Sequence, residues 1–148
     1  MALLEIDNLT VEFPTRRQTF VAVKNAHLTV EPGQIHGLVG ESGAGKSTIG
    51  AAVMGLLDRP GHITSGVIRF KGEEISGLDA AAMQSLRGKK ISMIFQDPLT
   101  SLNPLFTVKQ QLVETIQAHL GLNDRDAEAR AIDLIDRVGI PDPQNRVN

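Results

Sequence analysis

Gly40-Glu41-Ser42-Gly43-Ala44-Gly45-Lys46-Ser47 decides how this chain is read, because it fits the pattern G-x-x-x-x-G-K-[ST] at every position. Glycines in such a loop let successive backbone N–H groups curl inward around phosphate oxygens with no Cβ in the way. Lys46 brings a compact positive charge to the β and γ phosphates. Ser47 offers a hard hydroxyl oxygen to Mg²⁺, and Thr48 is placed to help at the α phosphate. A helix beginning here aims its unpaired N–H groups and the positive end of its dipole at the anion. ATP or a close relative with magnesium is the ligand this pattern predicts. An accidental glycine-rich turn would need no particular flanks. Here an apolar run with Ile35, Leu38 and Val39 precedes the loop, and a helix-compatible segment from about Lys46 to Leu57 follows it.

Outward from the loop, alternating apolar residues predict strands. Leu4, Ile6, Leu9, Val11 and Phe13 form one, with a phase shift near Asn8. Val21, Val23, Ala26, Leu28 and Val30 form a second, with a bulge at Lys24 and Asn25. Glu31-Pro32-Gly33 turns the chain into residues 34–39, which read as a short buried strand. Residues 67–70 alternate as another short strand, and residues 91–95 (ISMIF) read as a continuous apolar one. Asp79 is suited to cap a short helix carrying Met83 and Leu86 inward. From Pro104 onward the pattern becomes helical. Thr107 with Gln110 fits a capping box, and Val108, Leu112, Ile116 and Leu120 repeat every four residues. Asn123 opens a second helix with a stripe of Ala127, Ala131, Leu134, Ile135 and Val138, closed by Gly139.

Composition narrows the function classes. The chain has 148 residues, enough for a sizeable core, with 41% hydrophobic and 22% charged residues, as in a soluble globular protein. Fifteen Lys plus Arg against seventeen Asp plus Glu argue against a general basic field for nucleic acid, so no nucleic-acid partner is expected. The absence of cysteine removes disulfides and thiol chemistry. The acidic, alternating start MALLEIDNLTVEF is not a secretory signal, and no apolar run reaches the length of a membrane span. His27, His36, His62 and His119 have no metal-ligand spacing. Arg87, Lys89 and Lys90 read as a solvated basic turn, and Asp126, like Asp79, reads as a helix cap.

GESGAGKST (40–48), with VEPGQIHGLV (30–39) before it and ISMIF and Gln96 after it, closely resembles the ATP-binding subunits of ABC transporters. The resemblance runs from Leu3 to Asn148. IFQDPLTSLNPLFTV (94–108), GLLDRPGHITSG (55–66) and GIPDPQNRVN (139–148) are similar to the oligopeptide, dipeptide and nickel importer subfamily. The resemblance implies an α/β fold: a P-loop NTPase core of the ABC type with an N-terminal antiparallel β portion, over residues 1–103. The start of a helical subdomain would occupy residues 104–148. It places Gln96 as the Q-loop glutamine, reaching Mg²⁺ or the attacking water, and gives catalytic roles to Gln96 and Lys46. Residues 97–103 would face a membrane subunit. The aromatic residue on which adenine stacks in many relatives falls here on Arg17, whose guanidinium plane can also stack on a base. Phe13 and Phe20 bracket that position, and Phe13 continues its strand's apolar alternation.

The resemblance further implies transmembrane permease subunits, a second ATPase subunit of the same or a paralogous kind, and indirectly a solute-binding protein as partners. It puts the chain peripherally on the cytoplasmic face of the cell membrane. No LSGGQ-type signature and no apolar run ending in Asp-Glu occurs in these residues. The chain is therefore expected to correspond to the N-terminal part of such a subunit, stopping before the signature and the Walker B strand. Weak or no turnover by the 148 residues alone is expected. The rival readings are a non-hydrolysing nucleotide-binding fragment and a soluble ABC ATPase of DNA repair or translation.

Overall fold

The computed structural model describes residues 1–97 and 101–148. The chain forms two compact units, Met1–Arg87 and Gly88–Asn148. The first is built on a four-stranded antiparallel sheet in the order β2-β1-β3-β4, from β1 (Leu4–Pro14), β2 (Thr19–Val30), β3 (His62–Phe70) and the short β4 (Glu73–Glu74). Its apolar side chains Ile6, Leu9, Val11, Val23 and Ile68 are buried, which follows from their period-two spacing within each stretch of regular ladder. Helices α1 (Lys46–Val53) and α2 (Ala80–Leu86) add Ala52, Met83 and Leu86 to the buried set, with Met54 at the C-cap of α1.

The phase shift expected near Asn8 is present. Asn8 takes a left-handed φ of 52°, and the pairing of β1 shifts register between Ile6 and Leu9. Opposite it on β3, Gly66 has φ 86°, and the backbone of Asp7 and Asn8 leaves no space there for a Cβ. The bulge expected at Lys24 and Asn25 is present too. Leu9 pairs with Ala26 and Val11 with Val23, so Thr10 alone faces two residues of β2. Thr10 Oγ1 accepts from the Asn25 amide at 3.2 Å and donates to Asn25 Oδ1 at 3.3 Å, satisfying a hydroxyl that is otherwise buried.

The second unit holds α3 (Val108–Leu120), α4 (Asp124–Arg137) and the single turn α5 (Pro143–Arg146). The capping box at Thr107 and Gln110 forms with both of its hydrogen bonds, and Asn123 caps α4 by accepting from the Asp126 amide. Ile116, Ala127 and Ala131 make the buried seam, with Leu112, Val113, Leu122 and Leu134 packed against it. Leu120 and Val138 fall outside that seam and are largely exposed, because each sits in a last turn where the chain leaves the helix axis. No helix among the described residues is long and apolar enough to cross a membrane.

Two expected strands are not strands. Residues 34–39 are irregular, with Ile35 fully exposed and Val39 nearly so. In residues 91–95 only Ile91 joins a bridge, and Ile94 is 95% exposed. A continuous apolar run becomes a parallel-type strand only between neighbours that pair its N–H and C=O groups and cover both faces. Among the described residues no strand lies beside either run. The helix after the loop is also shorter than expected, since Gly55 turns left-handed at φ 61° and ends it. Amide hydrogen exchange should separate these classes. The β1 amides are expected to be protected and those of residues 34–39 to exchange within the shortest labelling time; equal protection would mean that the latter are paired.

Candidate functional site

The loop is positioned by a close approach of backbone to backbone. Gly45 is the N-cap of α1, with φ 83° and ψ 5°, and its residue is buried although residues 40–44 are exposed. A Cβ added at Gly45 would lie 2.5 Å from the carbonyl oxygen of Ala22 on β2 and 3.0 Å from Val23 Cγ2. Only glycine satisfies both the left-handed turn and this contact. Gly43 also has φ 82°, yet a Cβ there would meet open space. Between them the loop doubles back. The Ala44 amide donates to Glu41 O at 3.2 Å, and a Cβ on Gly40 would face Ala44 Cβ at 3.5 Å.

Lys46 folds over this loop. Its Nζ donates to Gly40 O at 2.8 Å and to Glu41 O at 2.6 Å. Both partners are neutral carbonyls, and among the described residues no carboxylate pairs with Lys46. The ammonium charge is therefore not cancelled. The first intrahelical bond of α1 runs from the Ile49 amide to Gly45 O at 2.9 Å, so the amides of Lys46, Ser47 and Thr48 have no acceptor within the helix. Ser47 is exposed. An uncancelled cation, three outward amides and an accessible hydroxyl fit a polyphosphate with a hard divalent cation.

The sequence pointed to residues 40–48, and the structure brings these together. What it missed is the seat on β2, for which a third glycine directly before Lys46 was the available signal. Arg17 lies at the tip of the β1–β2 hairpin, in the turn where the Thr15 amide donates to Gln18 O at 2.9 Å. Phe13 is half-buried with its ring beside Gly61, whereas its cross-strand partner Phe20 is 55% exposed.

Gln96 belongs to the second unit, where it is exposed and lines an open hollow of about 490 Å³ with Phe95, Asp97 and Ser101. Of the surface expected at residues 97–103, Pro98, Leu99 and Thr100 lie outside the described residues. Beyond them, Gln111 pins the chain. Its side-chain oxygen accepts from the Asn103 amide at 2.9 Å, and its Nε2 donates to Asn103 O at 3.0 Å and Phe106 O at 3.1 Å. Leu102, Leu105 and Phe106 are held outward by this clamp.

A family model described as ABC transporter matches residues 23–148. The chain belongs to the ABC transporter family. It is 43% identical to the dipeptide transport ATP-binding protein DppD of Escherichia coli (strain K12), over 100% of this chain and 45% of that protein. The DppD of Haemophilus influenzae (strain ATCC 51907 / DSM 11121 / KW20 / Rd) is 40% identical over the same shares. The chain thus spans about 45% of the length of these relatives. Among solved structures, the ATP-binding cassette MJ0796, a dimer bound to ADP and Pi in a post-hydrolysis state, superposes with a TM-score of 0.82. It shares 22% identity, with 98% of this chain and 60% of that one covered. The likeness establishes an ABC ATPase fold, so the antiparallel sheet and the phosphate loop described above are parts of that architecture.

Substitution separates the two left-handed glycines of this loop. Gly43→Ala is expected to lower stability by about 1 kcal/mol, the cost of the conformation alone. Gly45→Ala adds the collision with Ala22 and is expected to cost about 3 kcal/mol in urea denaturation. Equal losses would show that the approach to β2 places no demand on residue 45.

Proposed function

We propose that the chain binds ATP with Mg²⁺ at residues 40–48 and belongs to the energy-coupling, ATP-binding subunit of an ABC importer for peptides or similar small solutes. The observation that carries this is the uncancelled Lys46 ammonium held over loop 40–41, just before a helix whose start is seated on β2. The solute class is supported by the dipeptide transport proteins that the chain resembles over its whole length.

In this reading Gly40, Glu41, Ser42, Gly43, Ala44 and Gly45 wrap the phosphates with backbone N–H groups. Lys46 exchanges its two carbonyl partners for β and γ phosphate oxygens, which as anions are the stronger acceptors. Ser47 ligates the metal and Thr48 binds at the α phosphate. Bound Mg²⁺ neutralises phosphate charge and polarises the terminal phosphoryl group. Gln96 offers its side-chain carbonyl to the metal or to the attacking water. Arg17 offers a stacking plane to adenine, with Phe20 on the same hairpin as the aromatic substitute. Asp97 and Ser101, with Leu102 and Asn103 beyond them, form the face toward the transmembrane permease subunits. A second ATPase subunit and, indirectly, a solute-binding protein complete the assembly on the cytoplasmic face of the membrane.

Titration with a fluorescent ATP analogue tests the site. Lys46→Ala is expected to weaken binding about tenfold to a hundredfold, the worth of charge-assisted bonds to phosphate. Unchanged affinity in that variant would remove the loop from the binding site. Phosphate release by the 148 residues alone is expected at background, because they encode no carboxylate pair after an apolar strand and no signature loop. Release that disappears in Lys46→Ala would overturn this part.

A further inference from the structure

Helix α1 has eight residues, and isolated helices below about 12–15 residues are marginal in water. Of its residues only Ala52 is buried, so its order depends heavily on what holds its ends. Gly45 fastens the N-terminal end to β2. At the other end, the Leu56 amide donates to Ala51 O at 2.8 Å and the Gly55 amide to Ala52 O at 3.0 Å, the paired bonds of a left-handed glycine cap. That cap does not use the carbonyls of Met54 and Gly55. Both are taken by one side chain from α2's C-cap: Arg87 Nε donates to Met54 O and Arg87 Nη2 to Gly55 O, each at 2.8 Å. The basic turn expected at Arg87, Lys89 and Lys90 is thus not wholly solvated, because Arg87 is committed to α1. Its charge lies at the negative end of the helix dipole, and its planar fork spans two adjacent carbonyls as an ammonium cannot.

We propose that Arg87 is a positioning residue for nucleotide binding. By fixing the C-terminal end of α1, it keeps the amides of Lys46, Ser47 and Thr48 aimed where phosphate is received. Without it, α1 has one seat and frays from its far end, and a phosphate must order the helix as it binds; that ordering is subtracted from affinity. The inference rests on the ATP-binding reading of residues 40–48.

The test uses the full chain and a fluorescent ATP analogue, with Arg87→Met, Arg87→Lys and Lys46→Ala compared at a temperature where circular dichroism shows each fully folded. Arg87→Met is expected to weaken binding by at least about fivefold, in the range of ordinary coupling between sites. Arg87→Lys, which keeps the charge without the fork, should recover part of it. Amide exchange in α1 should rise in nucleotide-free Arg87→Met while that of the β1 amides stays at the parent's level, whereas a purely structural loss would raise both. An Arg87→Met affinity equal to the parent's, while Lys46→Ala loses binding, overturns the proposal and leaves the ATP site standing. A parent that binds no nucleotide overturns the ATP reading and this proposal together. If Arg87→Met does not fold, Arg87→Lys decides, and parental affinity in that variant overturns the proposal.

Discussion

The approach of Gly45 to the carbonyl of Ala22 is the constraint on which the position of loop 40–45 and the start of α1 depends. The loop itself is exposed from Gly40 to Ala44, and the helix that follows is too short to order itself. The loop buries nothing before Gly45, and of the helix only Ala52 is buried. What gives them a fixed position is a backbone contact with a strand whose partners are buried, β2 being paired along its length with β1, where Ile6, Leu9 and Val11 are almost inaccessible to solvent. Precision in the loop is borrowed from the sheet, and the absence of a side chain at residue 45 is what permits the loan.

The bulge on β2 belongs to the same constraint. Side chains alternate along a strand, so one residue more or fewer exchanges its two faces. Between the pairs Leu9–Ala26 and Val11–Val23, β2 carries Lys24 and Asn25 against Thr10 alone. Without that extra residue, the positions N-terminal to the bulge would present the opposite face, and Val23 would no longer lie both in the core and against Gly45. The left-handed Asn25, tied through its amide and side chain to Thr10 Oγ1, holds the extra residue in place. A polar pair within the sheet thereby sets which residues of β2 meet the loop.

Features decided by neighbours in sequence were legible before the structure. The Thr107 capping box, the Asp79 and Asn123 caps, the left-handed Gly139 and the phase shifts in β1 and β2 each depend on residues a few positions apart. The loop that carries Lys46, Ser47 and Thr48 was legible for the same reason, since its residues are contiguous. Residues 34–39 and 91–95 were not, because their apolar character states only that burial would favour them. Whether they pair depends on strands far away in sequence, and none of the described residues supplies one. Arg87 was missed on similar grounds. Its partners Met54 and Gly55 lie 33 and 32 residues earlier, and no local pattern distinguishes a guanidinium that caps another helix from one that faces water.

The same division between local and distant separates binding from turnover. The proposed phosphate cradle is made from contiguous residues, and both the Gly45 contact with β2 and the Arg87 bonds to the end of α1 lie within Met1–Arg87. Stabilising the charge that develops during phosphoryl transfer requires groups aimed at the terminal phosphate from several directions, held before the reaction begins. Gln96, in the proposed reading one such group, stands at the end of an apolar run in which only Ile91 joins a bridge. Its aim therefore depends on completion of the sheet around it, whereas Lys46 is already directed by a loop that closes on itself. On the proposed ATP-binding reading, affinity for nucleotide rests on a short stretch of chain on one firm strand, and hydrolysis on groups brought together from further away.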